Sequence, residues 1–456
     1  MSAQRSLPAG PLVAFYGDDF TGSSAAMEAL AFAGLETVLF LKPPTAERLS
    51  AFRHCRGIGI AGVARSRSPT WMDEHLPPIF AGLKAVGAPI VHYKVCSTFD
   101  SAPHIGSIGR AAEIGTRLFE GWIPLVVGEP GMGRFQSFGH LFALAHGRGY
   151  RLDRHPVMAR HPVTPMDEAD LGRHLARQTQ LPIGLVDVVA MKRGAADAAL
   201  DAALGEGAAI VSIDVMDAQT LEEAGRLLWQ RGGQPCFAIG SQGVEAALVA
   251  HWRAAGLLPA APTLASPGAV AQIAVVSGSV SPVTARQIAA SQNQGFAPIR
   301  IAAERAVDSR AWESEIETAT HRALAALAEG QSPLVFSAQG PDDPAVARLR
   351  EAVATAGLTI EAVNDRIGEG LGEVLHRILR EARLSRAVIS GGDTSSHAAA
   401  MLGIDALTAI APMAPGAPLC RAHAPDPDRD GIELVLKGGQ VGGDDFFDAV
   451  RRGGSV

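Results

Sequence analysis

Short apolar runs alternate along the chain with longer segments in which apolar residues recur every three or four positions. The runs are almost continuously apolar, which is typical of parallel strands buried on both faces. Segments such as 23–32 and 222–230 have the spacing of helices that cover such a sheet. The alternation predicts an α/β fold with mostly parallel sheets flanked by helices.

The predicted strands fall into two groups on either side of a segment with a different amino-acid composition. Residues 256–268 contain three prolines and no charged residue, which indicates a linker. We therefore predict two domains, 8–255 and 269–450, with a ligand cleft between them. The predicted strands are 12–16, 37–41, 57–61, 90–94, 123–127, 183–188, 209–214 and 236–239 before the linker, and 273–277, 298–302, 334–337, 387–390, 406–410 and 433–437 after it.

Composition argues against nucleic acid as a partner. The 456 residues include 40 basic and 47 acidic side chains, so the net charge of -7 provides no basic field for a duplex. With 16 Phe, 5 Trp and 3 Tyr, the chain also has few rings on which single-stranded bases could stack. Its 50 glycines instead favour loops whose backbone amides bind anions.

Cysteine spacing and apolar run lengths indicate the cellular setting. The four cysteines are far apart in the sequence, so they predict neither a zinc cage nor a disulfide framework, and we assign no metal-ligating residues. The apolar run near the N-terminus is too short for a signal peptide, and no run approaches a membrane span. We expect a cytoplasmic protein without a membrane partner, and a homo-oligomer stays open.

Two adjacent aspartates, Asp18 and Asp19, follow the first predicted strand and open a helix. Ligands bind α/β sheets at this end of the strands, where a carboxylate can orient a hydroxyl group or accept its proton. The alternative is that one aspartate only caps the helix. Local sequence leaves both interpretations open.

A second polar cluster follows the strand predicted at 90–94. It contains Lys94, Ser97, Thr98 and Asp100, a cation, two hydroxyls and a carboxylate that suit a polyhydroxylated acid. Arg134, in a glycine-rich segment after the strand at 123–127, could bind a carboxylate or phosphate with two hydrogen bonds. A polar loop or plain turn is the alternative for each segment.

Three glycine-rich loops follow strands in the second predicted domain. Backbone amides at such strand-to-helix turns can bind phosphate oxygens, although a single loop of this kind is often only a turn. Neither a P-loop nor a dinucleotide fingerprint occurs, so the three loops together favour a different nucleotide site. The candidate contacts are Ser277 and Ser279 in the first loop, Gly391, Gly392, Asp393 and Thr394 in the second, and Gly438 and Gly439 in the third.

Five ordered motifs resemble the four-carbon acid sugar kinases. The resemblance spans about residues 12–448 and implies a sugar-acid-binding N-terminal domain and an ATP-binding C-terminal domain. It also implies phosphorylation of a terminal hydroxyl group with ATP and Mg²⁺. The motifs are GDDFTGS at 17–23, KVCSTFDS at 94–101, GSQGVEAAL at 240–248, SGGDTSSHAAAMLGI at 390–404 and LVLKGGQVGGDDFF at 434–447.

The resemblance also implies roles for individual residues. Ser277 or Ser279, the loop at 391–394 and the glycines at 438–439 would contact ATP, while the aspartate pair and the 94–100 cluster would handle the sugar acid. We hypothesise that Lys94, with Arg134, binds the substrate carboxylate and that Asp19, or else Asp100, accepts the proton of the attacking hydroxyl.

Two features bear on the substrate. STFDS is similar to the branch acting on 3-oxo-tetronates, but the usual GNIG element that follows is altered at 102–109, which makes a 3-oxo-isoapionate a second candidate. Threonate or erythronate phosphorylation and a non-catalytic sugar-acid-binding protein are the alternatives.

Overall fold

The structure, a computed structural model, describes residues 6–145, 147–161 and 163–454, without the side chains of 393–397. The chain divides into two compact units, Met1–Pro262 and Thr263–Val456. The division falls in the proline-rich segment, and the bounds that we give the linker stay a prediction.

A parallel sheet forms the centre of the first unit. Within the described residues it has eight strands, β1 (Val13–Gly17), β2 (Thr37–Phe40), β3 (Gly57–Ala61), β4 (Ile90–Lys94), β5 (Ile123–Val126), β9 (Ile183–Val186), β10 (Ile210–Ile213) and β11 (Cys236–Gly240). Their order in the sheet is β2, β3, β1, β4, β11, β5, β10 and β9, and each neighbouring pair is parallel.

Helices and a small antiparallel sheet complete the first unit. The antiparallel sheet follows β5 and consists of β6 (Arg134–Ser137), β7 (His140–Ala145) and β8 (Arg148–Arg151). The helices are α1 (Phe20–Ala31), α2 (Ala46–Ser50), α3 (Pro69–Ala85), α4 (Ile108–Thr116), α5 (Leu171–Ala176), α6 (Val188–Lys192), α7 (Ala196–Gly205), α8 (Ala218–Arg231) and α9 (Gly243–Ala254).

The second unit has a mixed sheet of the strands β12 (Ala274–Ser277), β13 (Phe296–Arg300), β14 (Ser332–Phe336), β15 (Arg386–Ser390), β16 (Ala406–Ala414), β17 (Ala417–His423) and β18 (Glu433–Lys437). Their order in the sheet is β13, β14, β12, β15, β18, β17 and β16. Strand β17 is antiparallel to both of its neighbours, and the other neighbouring pairs are parallel. The helices are α10 (Pro282–Ser291), α11 (Ser309–Ala328), α12 (Pro344–Ala356), α13 (Ile360–Ala382), α14 (Gly392–Met401) and α15 (Phe446–Arg452).

Burial explains why the apolar runs form these sheets. Every residue of β1, β3, β4 and β11 is buried, as expected for strands covered by helices on both faces. The predicted α/β class with mostly parallel sheets is therefore confirmed. None of the helices in the described part of the chain combines the length and the apolar character that crossing a membrane requires.

Candidate active site

The aspartate pair lies at the carboxyl end of β1, where Arg65 binds both carboxylates. Arg65 Nη2 and Nε donate to Asp18 at 2.6 and 3.3 Å, and Nη1 and Nη2 donate to Asp19 at 2.7 and 2.9 Å. Asp18 is buried, and burial raises the pKa of its carboxyl while the Arg65 charge opposes that shift. The side chain of Asp19 is 29% exposed, so Asp19 is the member of the pair that a ligand can reach.

Asp19 is also the N-cap of α1. Its Oδ1 accepts a hydrogen bond of 2.7 Å from the amide of Gly22. Both interpretations of the aspartate pair thus apply to this residue, because the capping carboxylate is paired with a cation and partly exposed. Both carboxylate oxygens of Asp19 accept hydrogen bonds, which fixes the orientation of its side chain.

Lys94 ends β4, the strand beside β1, and its ammonium group lies next to the first turn of α1. Lys94 is buried, and its Nζ donates to the carbonyl of Val95 at 2.6 Å. A Cβ atom added at Gly22 would lie 3.0 Å from Lys94 Nζ and 2.5 Å from Asp19 Oδ1. Glycine at position 22 therefore leaves the space in which the cation and the carboxylate approach each other.

The loop after β4 continues this polar surface. Thr98 Oγ1 donates to Asp100 at 2.7 Å, and both residues are buried. Arg134, at the start of β6, donates through Nε to Ser97 Oγ at 3.3 Å. The predicted substrate residues of the first unit thus form connected groups at the carboxyl ends of β1, β4 and β5.

A further carboxylate, Glu129, lies in the loop after β5. Burial raises the pKa of Glu129, and hydrogen bonding to Gln242 together with the charges of Lys94 and Arg134 opposes the shift. Gln242 Nε2 donates to Glu129 Oε2 at 2.7 Å from the loop after β11. Cations beside carboxylates and hydroxyls can bind an acid through its carboxylate and its hydroxyl groups.

One cavity of the first unit lies apart from this group of side chains. A cavity of about 510 Å³ lies beside β9 and is lined by Phe138, Asp170 and Leu185, among others. None of the predicted substrate residues lines it. We therefore base the candidate site on the converging side chains and not on cavity size.

In the second unit, a cavity of about 610 Å³ lies at the glycine-rich loops, a volume within the usual range for ligand sites. Ser279, Gly391, Gly392 and Gly439 line one part of it. A second group of lining residues is mainly apolar, with one arginine and one asparagine: Ala303, Ala338, Val346, Leu349, Arg350, Ile360, Asn364 and Ile367. A ligand with an apolar part and an anionic part suits such a lining.

Backbone geometry suits the loop part of this cavity to phosphate. Gly391 has φ of +125°, a conformation that favours glycine, and it precedes α14 without a side chain capping the first turn. Amides in the first turn of a helix have no partner within that helix and can bind an anion. The predicted side chains of Asp393 and Thr394 fall outside the described residues.

Ser277 and Gly438 lie behind the wall of the cavity. Ser277 is fully buried, and its hydroxyl accepts a weak hydrogen bond of 3.4 Å from the amide of Ser279. Gly438 follows Lys437 at the end of β18, and its carbonyl accepts from Lys437 Nζ at 3.0 Å. Neither residue is among those that line the cavity.

Comparison with known proteins identifies the family. A profile for a sugar-binding N-terminal domain matches residues 13–248, and one for a nucleotide-binding C-terminal domain matches residues 274–447. The chain belongs to the acid sugar kinase family. It is 51% identical to the 3-oxo-isoapionate kinase of Paraburkholderia graminis, over 98% of this chain and 95% of the relative. It is 31% identical to the 3-oxo-tetronate kinase of Cupriavidus necator, over 97% of each chain.

Solved structures share the fold of this acid sugar kinase. A Salmonella typhimurium protein described as a candidate tRNA synthase matches with a TM-score of 0.77 at 24% identity, over 97% of this chain and 99% of its own. A Haemophilus influenzae protein matches with a TM-score of 0.71 at 24% identity, over 95% and 98%. At these identities the likeness establishes the fold alone, whereas the curated kinases and the two domain profiles establish an acid sugar kinase.

Several residues of the two sites escaped sequence reasoning. Arg65 lies in the segment after β3. The sequence feature that could have indicated it is its position shortly after a predicted strand, and in the structure that strand pairs with β1. Glu129 lies in the same glycine-rich segment as Arg134, but the sequence analysis proposes Arg134 alone as a substrate contact from this segment. Lys437 directly precedes the predicted Gly438 and was overlooked as part of the strand.

One group of potential metal ligands occurs among the described residues, namely Glu36, His54 and Cys55. Cys55 is buried, and burial together with the Glu36 charge raises the pKa of its thiol to about 12. Since a metal binds the thiolate, this shift disfavours the group as a metal site. It includes none of the predicted site residues.

Proposed function

We propose that this acid sugar kinase transfers the γ-phosphoryl group of ATP to a terminal hydroxyl group of a 3-oxo-isoapionate. The observation that carries the choice of substrate is the 51% identity to a 3-oxo-isoapionate kinase, against 31% to a 3-oxo-tetronate kinase, at nearly full coverage in both cases. The altered segment at 102–109 supports the same choice. A 3-oxo-tetronate is the second candidate.

The charges of the first unit support binding of a sugar acid. Lys94 and Arg134 are proposed to bind the substrate carboxylate, since each lies close to hydroxyl or carboxylate groups that can take part in the same network. Ser97 and Thr98 would contact hydroxyl groups. Asp19 would orient the attacking hydroxyl, because it is the exposed member of the aspartate pair.

The proton acceptor is proposed to be Asp19 or Asp100. Phosphoryl transfer depends mainly on positioning and on charge stabilisation, so a weak base is sufficient. Asp19 is held by Arg65 and by the Gly22 amide, whereas one oxygen of Asp100 accepts from Thr98. Asp19→Asn and Asp100→Asn should both lower kcat, and the larger loss, with a shift in its pH profile, identifies the acceptor.

ATP is proposed to occupy the cavity of the second unit, with its base in the apolar part and its phosphates at Ser279, Gly391, Gly392 and Gly439. Mg²⁺ bound through substrate phosphates needs few protein ligands. The described residues that line the cavity include serine hydroxyls and no carboxylate, which suits a metal held mainly by ATP. Ser279 and Ser281 are the hydroxyls that would assist, and the bound metal would neutralise phosphate charge.

The test is an ADP-release assay with purified enzyme, Mg²⁺ and ATP. The substrate panel comprises 3-oxo-isoapionate, 3-oxo-tetronate, threonate and erythronate. We expect the highest kcat/KM with 3-oxo-isoapionate. A higher kcat/KM with 3-oxo-tetronate would make that compound the substrate instead. If none of the acids increased the rate of ADP release, the kinase proposal itself would be contradicted.

A further inference from the structure

Lys437 is the last residue of β18 and the sole lysine between residues 263 and 456. It is fully buried, and among the described residues its Nζ donates to the carbonyl of Gly438 at 3.0 Å and to the hydroxyl of Thr284 at 3.3 Å. Both partners are neutral oxygens. The ring of Phe446, from α15, lies 5.7 Å from Nζ on another side.

Thr284 connects this ammonium group to the wall of the nucleotide cavity. Its hydroxyl is within hydrogen-bond distance of Ser279 Oγ, at 3.1 Å, and of the Gly439 carbonyl, at 2.9 Å. Ser279 and Gly439 both line the cavity. One buried hydroxyl group thus separates the positive charge from the surface that a phosphate would touch.

The described residues around Lys437 provide no negative charge for its ammonium group. Burial alone lowers the pKa of Lys437 to about 8, and no described charged group on α10, α15, β15 or the Gly438 loop contributes to the shift. The described lining of the cavity contains no carboxylate. A buried cation without a counter-ion is costly, and an anion placed at the cavity wall would offset that cost.

We propose that the Lys437 ammonium group provides the fixed positive charge that attracts the phosphates of ATP, acting from beneath the wall formed by Ser279, Thr284 and Gly439. Lys437 is thus a positioning residue for the nucleotide. This inference rests on the proposed kinase function and names the charge that its nucleotide site uses.

The experiment compares wild type with Lys437→Met, which keeps the length of the side chain and removes its charge. ATP, ADP and adenosine are titrated separately by calorimetry, and the KM values for ATP and for the sugar acid are measured. We expect Lys437→Met to weaken ATP binding about tenfold or more, to leave adenosine binding unchanged, and to leave the KM for the sugar acid within about twofold. Lys192→Met, at a lysine paired with Asp217 on the surface, is the matched control.

A pH series on the wild type needs no variant. Between pH 7.5 and 9.5, where Lys437 loses its proton, ATP affinity should fall, and Lys437→Met should not show this fall. Equal ATP binding by wild type and Lys437→Met, an equal loss for adenosine, or a flat wild-type pH series would each overturn the role of Lys437. A wild type that binds neither ATP nor ADP would instead contradict the proposed kinase function, and the lysine role with it.

Discussion

Lys94 and Lys437 occupy equivalent places in two different units. Each is buried, ends a parallel strand, and donates to the carbonyl of the following residue. Their electrostatic surroundings differ, because the charge of Lys94 lowers the pKa values of Asp18 and Glu129 against the effect of burial, while no described charged group shifts the pKa of Lys437.

This difference separates two ways of preparing a site for an anion. In the first unit, carboxylates and cations stabilise one another before any ligand binds, so the substrate must compete with charges that are already paired. In the second unit, the described partners of the Lys437 ammonium group are neutral oxygens, and the ligand would supply its counter-charge. Removing the charge of Arg65 or Lys94 should therefore destabilise the first unit, whereas removing the charge of Lys437 should stabilise the second unit.

The largest effect is expected from Arg65→Ala in the first unit. This change leaves Asp18 buried without its cation, and breaking a buried pair costs about 3–5 kcal/mol. Chemical denaturation should show a loss of that order near neutral pH. The loss should shrink as the pH falls, because protonation of Asp18 removes the uncompensated charge.

Arg110→Ala is the control for Arg65→Ala. Arg110 also binds two carboxylates, those of Asp73 and Glu113, but their side chains are 39% and 26% exposed, whereas that of Asp18 is 1% exposed. Its removal should cost about 1 kcal/mol or less. Similar losses for both variants would contradict the argument that burial makes the Arg65 pair important.

The second prediction compares the two lysines directly. Lys94→Met should lower the melting temperature, since Asp18 and Glu129 lose a neighbouring cation, and it should raise the KM for the sugar acid by about 100-fold. Lys437→Met should raise the melting temperature of the ligand-free protein, because it removes an uncompensated buried charge. Thermal denaturation at pH 7 measures both shifts, and shifts of the same sign would refute the comparison.

The third prediction concerns the packing that brings Lys94 and Asp19 together. Gly22→Ala should displace the Asp19 cap, lower stability by about 1 kcal/mol, and weaken sugar-acid binding. Gly82→Ala is the control, because a Cβ atom there meets nothing within 4 Å and alanine favours a helix by about 0.5–1 kcal/mol. Denaturation curves and the KM for the sugar acid would show whether only Gly22→Ala is harmful.

The last prediction is a pH dependence of stability in the second unit. Because the pKa of Lys437 is lowered from 10.5 to about 8 in the folded state, the unfolded chain binds more protons between these values. Stability from this group should therefore rise with pH from about 8 to 10.5, opposite to the fall in ATP affinity. The difference between wild type and Lys437→Met isolates the contribution, and no difference in slope would contradict the lowered pKa.

Sequence patterns predicted the parallel sheets because their strands are continuously apolar. The antiparallel strands β6, β7 and β8 were missed; β6 and β8 carry polar residues such as Arg134 and Arg148, whereas β7 is mainly apolar. β17 was missed as well, and β13 begins two residues earlier than predicted. These strands depend on neighbours that a local pattern does not reveal.

Site residues were predictable where they cluster along the sequence. Lys94, Ser97 and Asp100 lie close together in the sequence, at the end of β4 and in the loop that follows it. Arg65, in contrast, is 47 positions from Asp18, and the pairing of β1 with β3 brings the two side chains together. The capping hydrogen bond of Asp19 followed from the helix start. Its double pairing with Arg65 did not, because it depends on tertiary structure.

The span between Asp18 and Arg65 also bears on folding. In the native structure it is closed by the parallel pairing of β1 with β3, and parallel pairing of distant segments is slow compared with helix formation. Chains in which these strands are unpaired lack the assembled cation–carboxylate group, and a sugar acid that needs this group would bind the native state alone. Substrate should therefore protect this unit against proteases and heat, with a stabilisation that grows with the logarithm of its concentration above its Kd.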